Sequence, residues 1–286
     1  MKILVTGANG HLGGKIVASL AKKVTADQIA VGVRDTTSEK AQQFKAAGYE
    51  VRATDFENAE SLTAAFMGID RIFIVSTFGD YETVMRHQNN AIAAAKNAKV
   101  AQVVYPSVTR AEGNDFFLAQ LHRAREVALI ESGLNYVILR NNWYIENELN
   151  TIQGCLAGAP WVTAAGDGKV GWAYRPDLAE AAANVLTSEG HDNKVYELSG
   201  PNLTQQQFVD AVNAVTGKEI QVLNVSDEAY ADMLKQGGVP EAYLPMLTMT
   251  QSGIRAGGLE SVHSDLETLL NRPATSLQDA LAQLLK

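Results

Sequence analysis

Residues 2–14 read Lys-Ile-Leu-Val-Thr-Gly-Ala-Asn-Gly-His-Leu-Gly-Gly, and this stretch decides the fold. Its first five residues form a short, mostly β-branched and apolar run, which is typical of a strand buried on both faces. Gly7, Gly10 and Gly13 follow at once, and residues 11–23 carry apolar residues at helical spacing up to Leu20. A strand, a glycine-rich turn and a helix in direct succession predict a loop that holds the phosphates of a dinucleotide.

Glycine is expected at each of the three positions for a different physical reason. Gly7 can adopt a turn geometry that is strained for other residues. Gly10 lets the backbone approach a pyrophosphate closely, and Gly13 lets the helix pack tightly on the strand. A tight turn without a ligand would use the same glycines, but their place between a strand and a helix favours a cofactor. The loop residues expected to contact it are Thr6, Gly7, Ala8, Asn9, Gly10, His11, Leu12 and Gly13.

Strands and helices continue to alternate after this loop. Further strands are predicted at residues 29–33, 50–54, 71–75, 102–105 and 135–139. The helices between them are predicted at residues 38–47, 58–67, 81–98 and 116–132. Six strands that alternate with helices predict an α/β fold with a doubly wound parallel sheet, the Rossmann arrangement.

The alternation weakens after about residue 150. We therefore expect a dinucleotide-binding domain over residues 1–150 and a smaller α+β lobe over residues 151–286, with some segments returning to the sheet. In the second half, Asp177 can accept hydrogen bonds from the first free N–H groups of a helix, so we expect it to be an N-cap. Together with Arg175 it is also expected to join the two lobes.

Composition and charge limit the class of protein. The 286 residues are 46% hydrophobic, which excludes a disordered chain, and the net charge of −8 argues against nucleic acid as the main partner. No apolar run approaches the roughly 18 residues that a membrane span needs. The single cysteine, Cys155, cannot form an internal disulfide or a cysteine metal cluster, and no metal site is expected. We expect a cytoplasmic monomer or homodimer.

The end of the second predicted strand indicates which dinucleotide binds. Residues 31–35 read Val-Gly-Val-Arg-Asp. A guanidinium at this point can bind the 2′-phosphate of NADP(H), whereas a carboxylate would bind the ribose 2′-OH of NAD(H). Arg34 comes first and favours NADP(H). Asp35 leaves NAD(H) open, because a shift of one residue would exchange the two roles.

Further cofactor contacts are expected at the carboxyl ends of the strands, where ligands of open α/β sheets bind. The residues expected there are Asp55 and Phe56 beside the adenine, Ser76 and Thr77 beside the nicotinamide ribose, and Tyr105, Ser107, Asn141 and Asn142 along the same edge.

The usual proton donor of a short-chain dehydrogenase is absent. That class uses a tyrosine with a lysine four residues later, and none of the nine tyrosines here has one. No H-E-x-x-H or G-x-S-x-G motif supports zinc or serine-hydrolase chemistry either. His122 is the best substitute proton donor, because the ordinary pKa of histidine lies near neutrality. A surface or packing role is the alternative for this residue.

Several stretches together resemble the NmrA-like atypical short-chain dehydrogenases. They are the opening glycine loop, Arg34, L-R-N-N-W-Y at 139–144, R-P-D-L-A at 175–179 and L-N-R-P at 270–273. The resemblance covers essentially the whole chain and is greatest to the branch of NAD(P)H:quinone oxidoreductase 2 and the triphenylmethane reductases. It implies a Rossmann domain, NADPH, and a pocket for a quinone or a similar planar electron acceptor. The quinone reductases of this branch carry a lysine before the histidine of the helix after strand five, where this chain has Leu121.

The missing tyrosine is compatible with such a reductase. Hydride transfer to a quinone gives a delocalised oxyanion that water can protonate, and Trp143 and Tyr144 are expected to stack on the acceptor ring. Core packing is the alternative for both aromatic residues. A second hypothesis is a non-catalytic NADP(H) sensor that acts through a protein partner. A sugar-nucleotide epimerase is disfavoured, because its catalytic base is absent.

Overall fold

The computed structural model describes residues 1–286 and contains eleven strands and twelve α-helices. The strands are β1 (Ile3–Val5), β2 (Ile29–Val33), β3 (Glu50–Ala53), β4 (Arg71–Phe73), β5 (Gln102–Val108), β6 (Tyr136–Asn141), β7 (Trp161–Thr163), β8 (Lys169–Val170), β9 (Lys194–Leu198), β10 (Leu203–Thr204) and β11 (Val222–Asn224). The helices are α1 (His11–Leu20), α2 (Glu39–Ala46), α3 (Ala59–Phe66), α4 (Tyr81–Asn97), α5 (Phe117–Glu131), α6 (Leu149–Leu156), α7 (Arg175–Thr187), α8 (Gln205–Thr216), α9 (Asp227–Gln236), α10 (Leu244–Arg255), α11 (Leu266–Leu270) and α12 (Leu277–Leu284). None of these helices has the length and apolar character needed to cross a membrane.

The central sheet has seven parallel strands in the order β3-β2-β1-β4-β5-β6-β9. This order confirms the doubly wound sheet that the sequence predicts. The strand order reverses at β1, where Val5 pairs with Val31 of β2 on one side and with Phe73 of β4 on the other. Ligands of such sheets bind at this reversal, outside the carboxyl ends of the strands. The fold therefore places the glycine loop after β1 at the ligand-binding edge.

Burial on both faces explains why the central strands are apolar without alternation. All residues of β1 and β2 are buried. One face of the sheet packs on α1, α7 and α11, and the other packs on α3 and α4. A third hydrophobic cluster lies in the C-terminal half, around Trp161, Trp172 and Phe208.

The second half of the chain adds a strand and a helix to the Rossmann sheet of the first half. Strand β9 pairs with β6, with Val137 opposite Lys194, and α7 packs against α1. The remaining strands form two small sheets, an antiparallel pair β10–β8 and a parallel pair β11–β7. The Rossmann sheet that begins in residues 1–150 therefore includes a strand from beyond residue 150.

Asp177 does not cap a helix, so the sequence-based prediction of a cap is wrong. Helix α7 begins earlier, at Arg175, with Pro176 in its first turn, and this places Asp177 inside the helix on its buried side. Its carboxylate accepts hydrogen bonds from Arg272 Nη2 (2.8 Å), Thr275 N (2.6 Å) and Thr275 Oγ1 (2.9 Å). Asp177 joins α7 to the segment before α12, and its ionic partner is Arg272 instead of Arg175.

Replacing Asp177 by alanine should destabilise the protein, because Arg272 and Thr275 then lose their acceptor in the interior. Breaking a buried pair from one side costs roughly 3–5 kcal/mol, and the partial exposure of Arg272 lowers this, so we expect a loss of about 3 kcal/mol in the free energy of unfolding. Urea denaturation measures it. Asp210→Ala on the exposed face of α8 is the control, with an expected change within about 0.5 kcal/mol. Equal stabilities of the two variants would contradict this role of Asp177.

Candidate functional site

The loop between β1 and α1 is built around its glycines. Gly7 has a φ of +62°, and a Cβ atom there would lie 2.7 Å from Val75 Cγ1. A Cβ atom on Gly13 would lie 2.4 Å from the carbonyl oxygen of Gly7, so no side chain fits at this position. Gly10 stands at the N-cap of α1, and no side chain caps the helix. The first N–H groups of α1 are therefore free to bind an anion.

Two buried residues of the loop shape it from inside. Thr6 and Ala8 have no exposed surface. Thr6 Oγ1 donates to the carbonyl oxygen of Phe73 at 3.0 Å and accepts the N–H of Val75 at 2.9 Å, which ties β1 to β4. In this structure Thr6 and Ala8 support the loop from inside, and their contact with the cofactor stays a prediction. Of the remaining loop residues, Asn9, Gly10 and His11 are exposed, Gly7 and Leu12 are half-buried, and Gly13 is buried.

The corner after β2 distinguishes the two residues that compete for the ribose. Arg34 is exposed and forms no hydrogen bond or ion pair with the protein. The carboxylate of Asp35 accepts hydrogen bonds from Thr37 Oγ1 (2.6 Å) and Thr37 N (2.8 Å). The Thr37 hydroxyl also holds the pKa of Asp35 below its ordinary value. Asp35 is thus committed to its own turn, while the guanidinium of Arg34 remains available for a phosphate.

Two residues of this region were missed by the sequence analysis. Lys40 Nζ donates to the carbonyl oxygen of Asn9 at 2.7 Å, which places a second cation on the loop. The carbonyl oxygen of Gly32 accepts the N–H of Ala8, and a Cβ atom on Gly32 would lie 2.7 Å from Thr54 Cγ2. Glycine inside a strand often marks close backbone approach, so Gly32 had a readable signal. Lys40 had none, because its distance from the loop depends on how α2 packs.

Two buried polar atoms lack a hydrogen-bond partner where β5 and β6 end. They are Ser107 Oγ and Asn141 Oδ1, on neighbouring strands, and each side chain is 5% exposed. Asn141 Nδ2 donates a hydrogen bond to the hydroxyl oxygen of Tyr144 at 3.3 Å. Nearby, Ser76 Oγ donates to the carbonyl oxygen of Pro106. Buried polar groups without partners are rare. A polar ligand bound at this edge would supply the missing partners to Ser107 and Asn141.

The side-chain amide of Asn142, in contrast, already has hydrogen-bond partners within the protein. Its Nδ2 donates to Ser199 Oγ (3.1 Å) and to the carbonyl oxygen of Leu259 (3.0 Å), and its Oδ1 accepts the N–H of Trp143 (2.7 Å). These hydrogen bonds give Asn142 a structural role, and its contact with the cofactor stays a prediction. Its amide instead ties the end of β6 to the C-terminal half of the chain.

Tyr105 is buried on β5, and the half-buried His122 of α5 lies beside it. The Tyr105 hydroxyl lies 3.0 Å from His122 Nδ1 and 3.5 Å from Arg125 Nη1, and Arg125 Nη2 donates to the carbonyl oxygen of Thr77 at 2.7 Å. Burial and the charge of Arg125 lower the pKa of His122 to about 3. His122 is therefore neutral at physiological pH, which contradicts the near-neutral pKa on which its predicted proton donation rests. Tyr105 has no exposed surface, and its contact with the cofactor stays a prediction.

The predicted adenine contacts lie at the end of β3, two strands from β1. Asp55 is exposed, and its Oδ1 accepts the N–H of Glu57 at 3.1 Å. Phe56 is half-buried, with its ring 6.1 Å from the ring of His87, whose Nδ1 lies 3.0 Å from Thr77 Oγ1. Contact of Asp55 and Phe56 with adenine stays a prediction.

Aromatic side chains lie after β6, where the sequence predicts that the electron acceptor binds. Trp143 is half-buried, and its ring meets that of Phe116 edge-on at 6.4 Å. A cavity of about 400 Å³ opens between residues 110–117 and α10, with Phe116, Phe117 and Met249 in its wall. Tyr144 is half-buried, and the guanidinium of Arg175 lies 4.8 Å above its ring. Polar and apolar groups line the cavity in similar measure, and its size suits a small ligand.

Comparison with known proteins agrees with this geometry. Residues 1–122 match the model of the NmrA-like family. Quinone oxidoreductase 2 of Escherichia coli (strain K12) is 36% identical over 283 residues, which cover 99% of this chain and 98% of the relative. The chain belongs to the NmrA-like family.

Two solved structures superpose on this chain along its whole length. The triphenylmethane reductase of Citrobacter sp. complexed with NADP(H) has a TM-score of 0.93 and 32% identity, covering 99% of both chains. The NADPH-dependent quinone oxidoreductase of Escherichia coli complexed with NADPH has a TM-score of 0.93 and 35% identity, covering 99% of this chain and 100% of the other.

The NmrA-like sequence pattern outside the glycine loop coincides with contacts between the two halves of the chain. Residues 139–144 run from β6 to the ligand-binding edge, and Asn142 among them ties β6 to Leu259. Residues 175–179 open α7, and residues 270–273 supply the arginine that pairs with Asp177. These stretches therefore hold the two halves of the chain together.

The low pKa of His122 should make the protein less stable in acid. The unfolded chain takes up a proton near pH 6.5, whereas folded His122 resists it down to about pH 3. Stability should therefore fall as the pH drops through this window, by at most about 1.4 kcal/mol per pH unit for one group. His122→Gln should flatten this dependence, as measured by urea unfolding at several pH values. The exposed His263, changed to Gln, serves as control, and parallel curves for wild type and His122→Gln would contradict the assignment.

Proposed function

We propose that this NmrA-like protein is an NADPH-dependent reductase that delivers hydride to a quinone or a similar planar acceptor. The observation that carries the proposal is the uncapped start of α1 behind its glycine loop, with Arg34 uncommitted after β2. The relatives named above support it, because one is a quinone oxidoreductase and two have structures with NADP(H) or NADPH.

The residues present fit the cofactor at both of its ends. The free N–H groups at the start of α1 would hold the pyrophosphate, and Arg34 with Lys40 would hold the 2′-phosphate. Ser107 Oγ and Asn141 Oδ1 would find their missing partners at the nicotinamide end. When bound, the cofactor supplies the hydride, so the protein has to orient it against the acceptor.

The acceptor would lie between residues 1–150 and the lobe formed by residues 151–286, against Trp143 and the cavity beside Phe116. Aromatic side chains at this point favour a flat ring system. Neither Tyr105 nor His122 can protonate the product, since Tyr105 is sealed from the cleft and His122 is neutral. A quinone suits such a site, because its reduced oxyanion is delocalised and less basic than a simple alkoxide.

Arg34→Ala should weaken NADPH binding about tenfold or more and leave NADH binding unchanged, because a charge-assisted hydrogen bond contributes roughly 1.5–3 kcal/mol. Calorimetric titration with both dinucleotides measures the ratio. Lys218→Ala, in the C-terminal half and away from the loop, is the matched loss of positive charge and should change neither constant. A change of preference in Asp35→Ala, with none in Arg34→Ala, would assign the ribose to Asp35 instead.

Turnover tests the proposal itself. NADPH oxidation should be saturable with 1,4-benzoquinone and menadione, and it should fall at least a hundredfold in Gly10→Asp. Aspartate is a good N-cap, so the variant keeps α1, but its charge repels the pyrophosphate. Gly10→Ser, a neutral cap, should lose less. Tight NADPH binding without oxidation by any acceptor would favour the NADP(H) sensor, and absence of binding would contradict both functions.

A further inference from the structure

Glu148 carries a carboxyl group with an unusual set of partners. Its Oε1 accepts hydrogen bonds from the indole Nε1 atoms of Trp143 (3.0 Å) and Trp172 (3.1 Å). Its Oε2 has no hydrogen-bond partner in the protein, and no Lys, Arg or His forms an ion pair with it. The two indoles fill the lone pairs of one oxygen and fix the plane of the carboxyl group, while the second oxygen stays free.

The other acids of the interior differ from Glu148 in one respect. Glu126 and Glu197 both pair with Arg140, and Asp177 pairs with Arg272. An ionised carboxylate without a cation in apolar surroundings is costly, and such a group keeps its proton instead. Glu148 is the acid whose surroundings favour the neutral form.

These surroundings are aromatic and uncharged. The ring of Trp143 meets Phe116, and the ring of Trp172 lies 4.4 Å from that of Phe208. From α9, Tyr230 is the nearby titratable group, and burial raises its pKa to about 12, so it stays neutral. On the same turn as Glu148, the carboxylate of Glu146 is directed to the N–H of Arg175. Burial raises the pKa of Glu148, and the two indole hydrogen bonds only partly oppose this.

The position of Glu148 connects it with the acceptor. It ends the short 3-10 turn Ile145–Glu148, which follows β6 and Trp143, and Trp143 is the residue expected to stack on the acceptor ring. Glu148 as a whole is half-buried, and its Oε1 contacts the indole of Trp143. A protonated carboxyl here has its carbonyl oxygen occupied by two donors and its O–H free to donate outward.

We propose that Glu148 is the acid that protonates the reduced acceptor. This inference rests on the proposed reductase function and supplies the proton donor that neutral His122 does not provide. Hydride transfer brings two electrons and one hydrogen to the quinone and leaves a hydroquinone monoanion. The Oε2–H bond of Glu148 breaks, its proton forms the second O–H bond of the hydroquinone, and the carboxylate regains a proton from water. NADPH, quinone and one proton thus give NADP⁺ and hydroquinone.

Glu148→Gln separates this role from a structural one. The amide oxygen of Gln can still accept both indole hydrogen bonds, so the fold and the tryptophan positions should persist. With menadione, kcat should fall roughly a hundredfold, the lower end of what a general acid contributes, with little change in KM. Reduction of malachite green, a cationic dye whose product needs no proton, should be unchanged. The exposed Glu131, changed to Gln, is the control for the loss of one negative charge.

The pH dependence gives a second readout. In the wild type, kcat with menadione should fall as the pH rises through the raised pKa of Glu148, and in Glu148→Gln it should lose this dependence. Equal losses with quinone and dye would mean a structural role, and a loss with the dye alone would mean a counter-charge for cations. Unchanged rates with both would mean no role, and each of these three results overturns the proposal.

Infrared difference spectra test the protonation state without any turnover. Subtracting Glu148→Gln from the wild type at neutral pH, without NADPH, should leave the C=O stretch of a protonated carboxylic acid. Carboxylate bands in its place would overturn the inference even if the protein reduces quinones. Conversely, a protonated Glu148 in a protein that oxidises no NADPH with any quinone would mean that the reductase function, and with it this role, is wrong.

Discussion

The contact between Gly7 and Gly13 is the constraint on which the rest of the site depends. A Cβ atom at position 13 would come within 2.4 Å of the Gly7 carbonyl oxygen, so α1 can start this close to β1 only if the position is glycine. The close start aims the free N–H groups of α1 at the edge of the sheet where the strand order reverses. The same helix packs on α7, which belongs to the second half of the chain. One steric condition thus sets both the phosphate site and the docking of the C-terminal half.

Most buried acidic side chains of this protein have an arginine as a partner. Acids that lie in the core face arginines, as Glu126 and Glu197 face Arg140. Arg125 is an exception among the bases, since it is buried without an acid and instead donates to the carbonyl oxygen of Thr77. Its charge acts with burial to keep His122 neutral. Burial, together with the charge of Arg125 three residues away, therefore keeps His122 from acting as an acid, whereas Glu148 has surroundings that retain a proton.

The sequence predicts features that depend on local patterns. The alternation of apolar strands with helices predicts the doubly wound sheet, and the spacing of Gly7, Gly10 and Gly13 after a strand predicts the phosphate loop. Features that depend on partners far apart in the chain are mispredicted. Asp177 looks like a cap until Arg272, 95 positions later, takes its carboxylate. The hydrogen bond from Asn142 to Leu259, 117 positions later, likewise has no local sign in the sequence. Lys40 and Glu148 gain their importance only from packing, so neighbouring residues give no sign of it.

The most direct test of the whole account is a crystal structure of the protein with bound NADPH. We expect the pyrophosphate at the first N–H groups of α1 and the 2′-phosphate within hydrogen-bond distance of Arg34 and Lys40. The nicotinamide end should give Ser107 Oγ and Asn141 Oδ1 the partners that they lack. A dinucleotide bound away from the glycine loop, or a ribose held by Asp35 with both cations turned to solvent, would contradict the account.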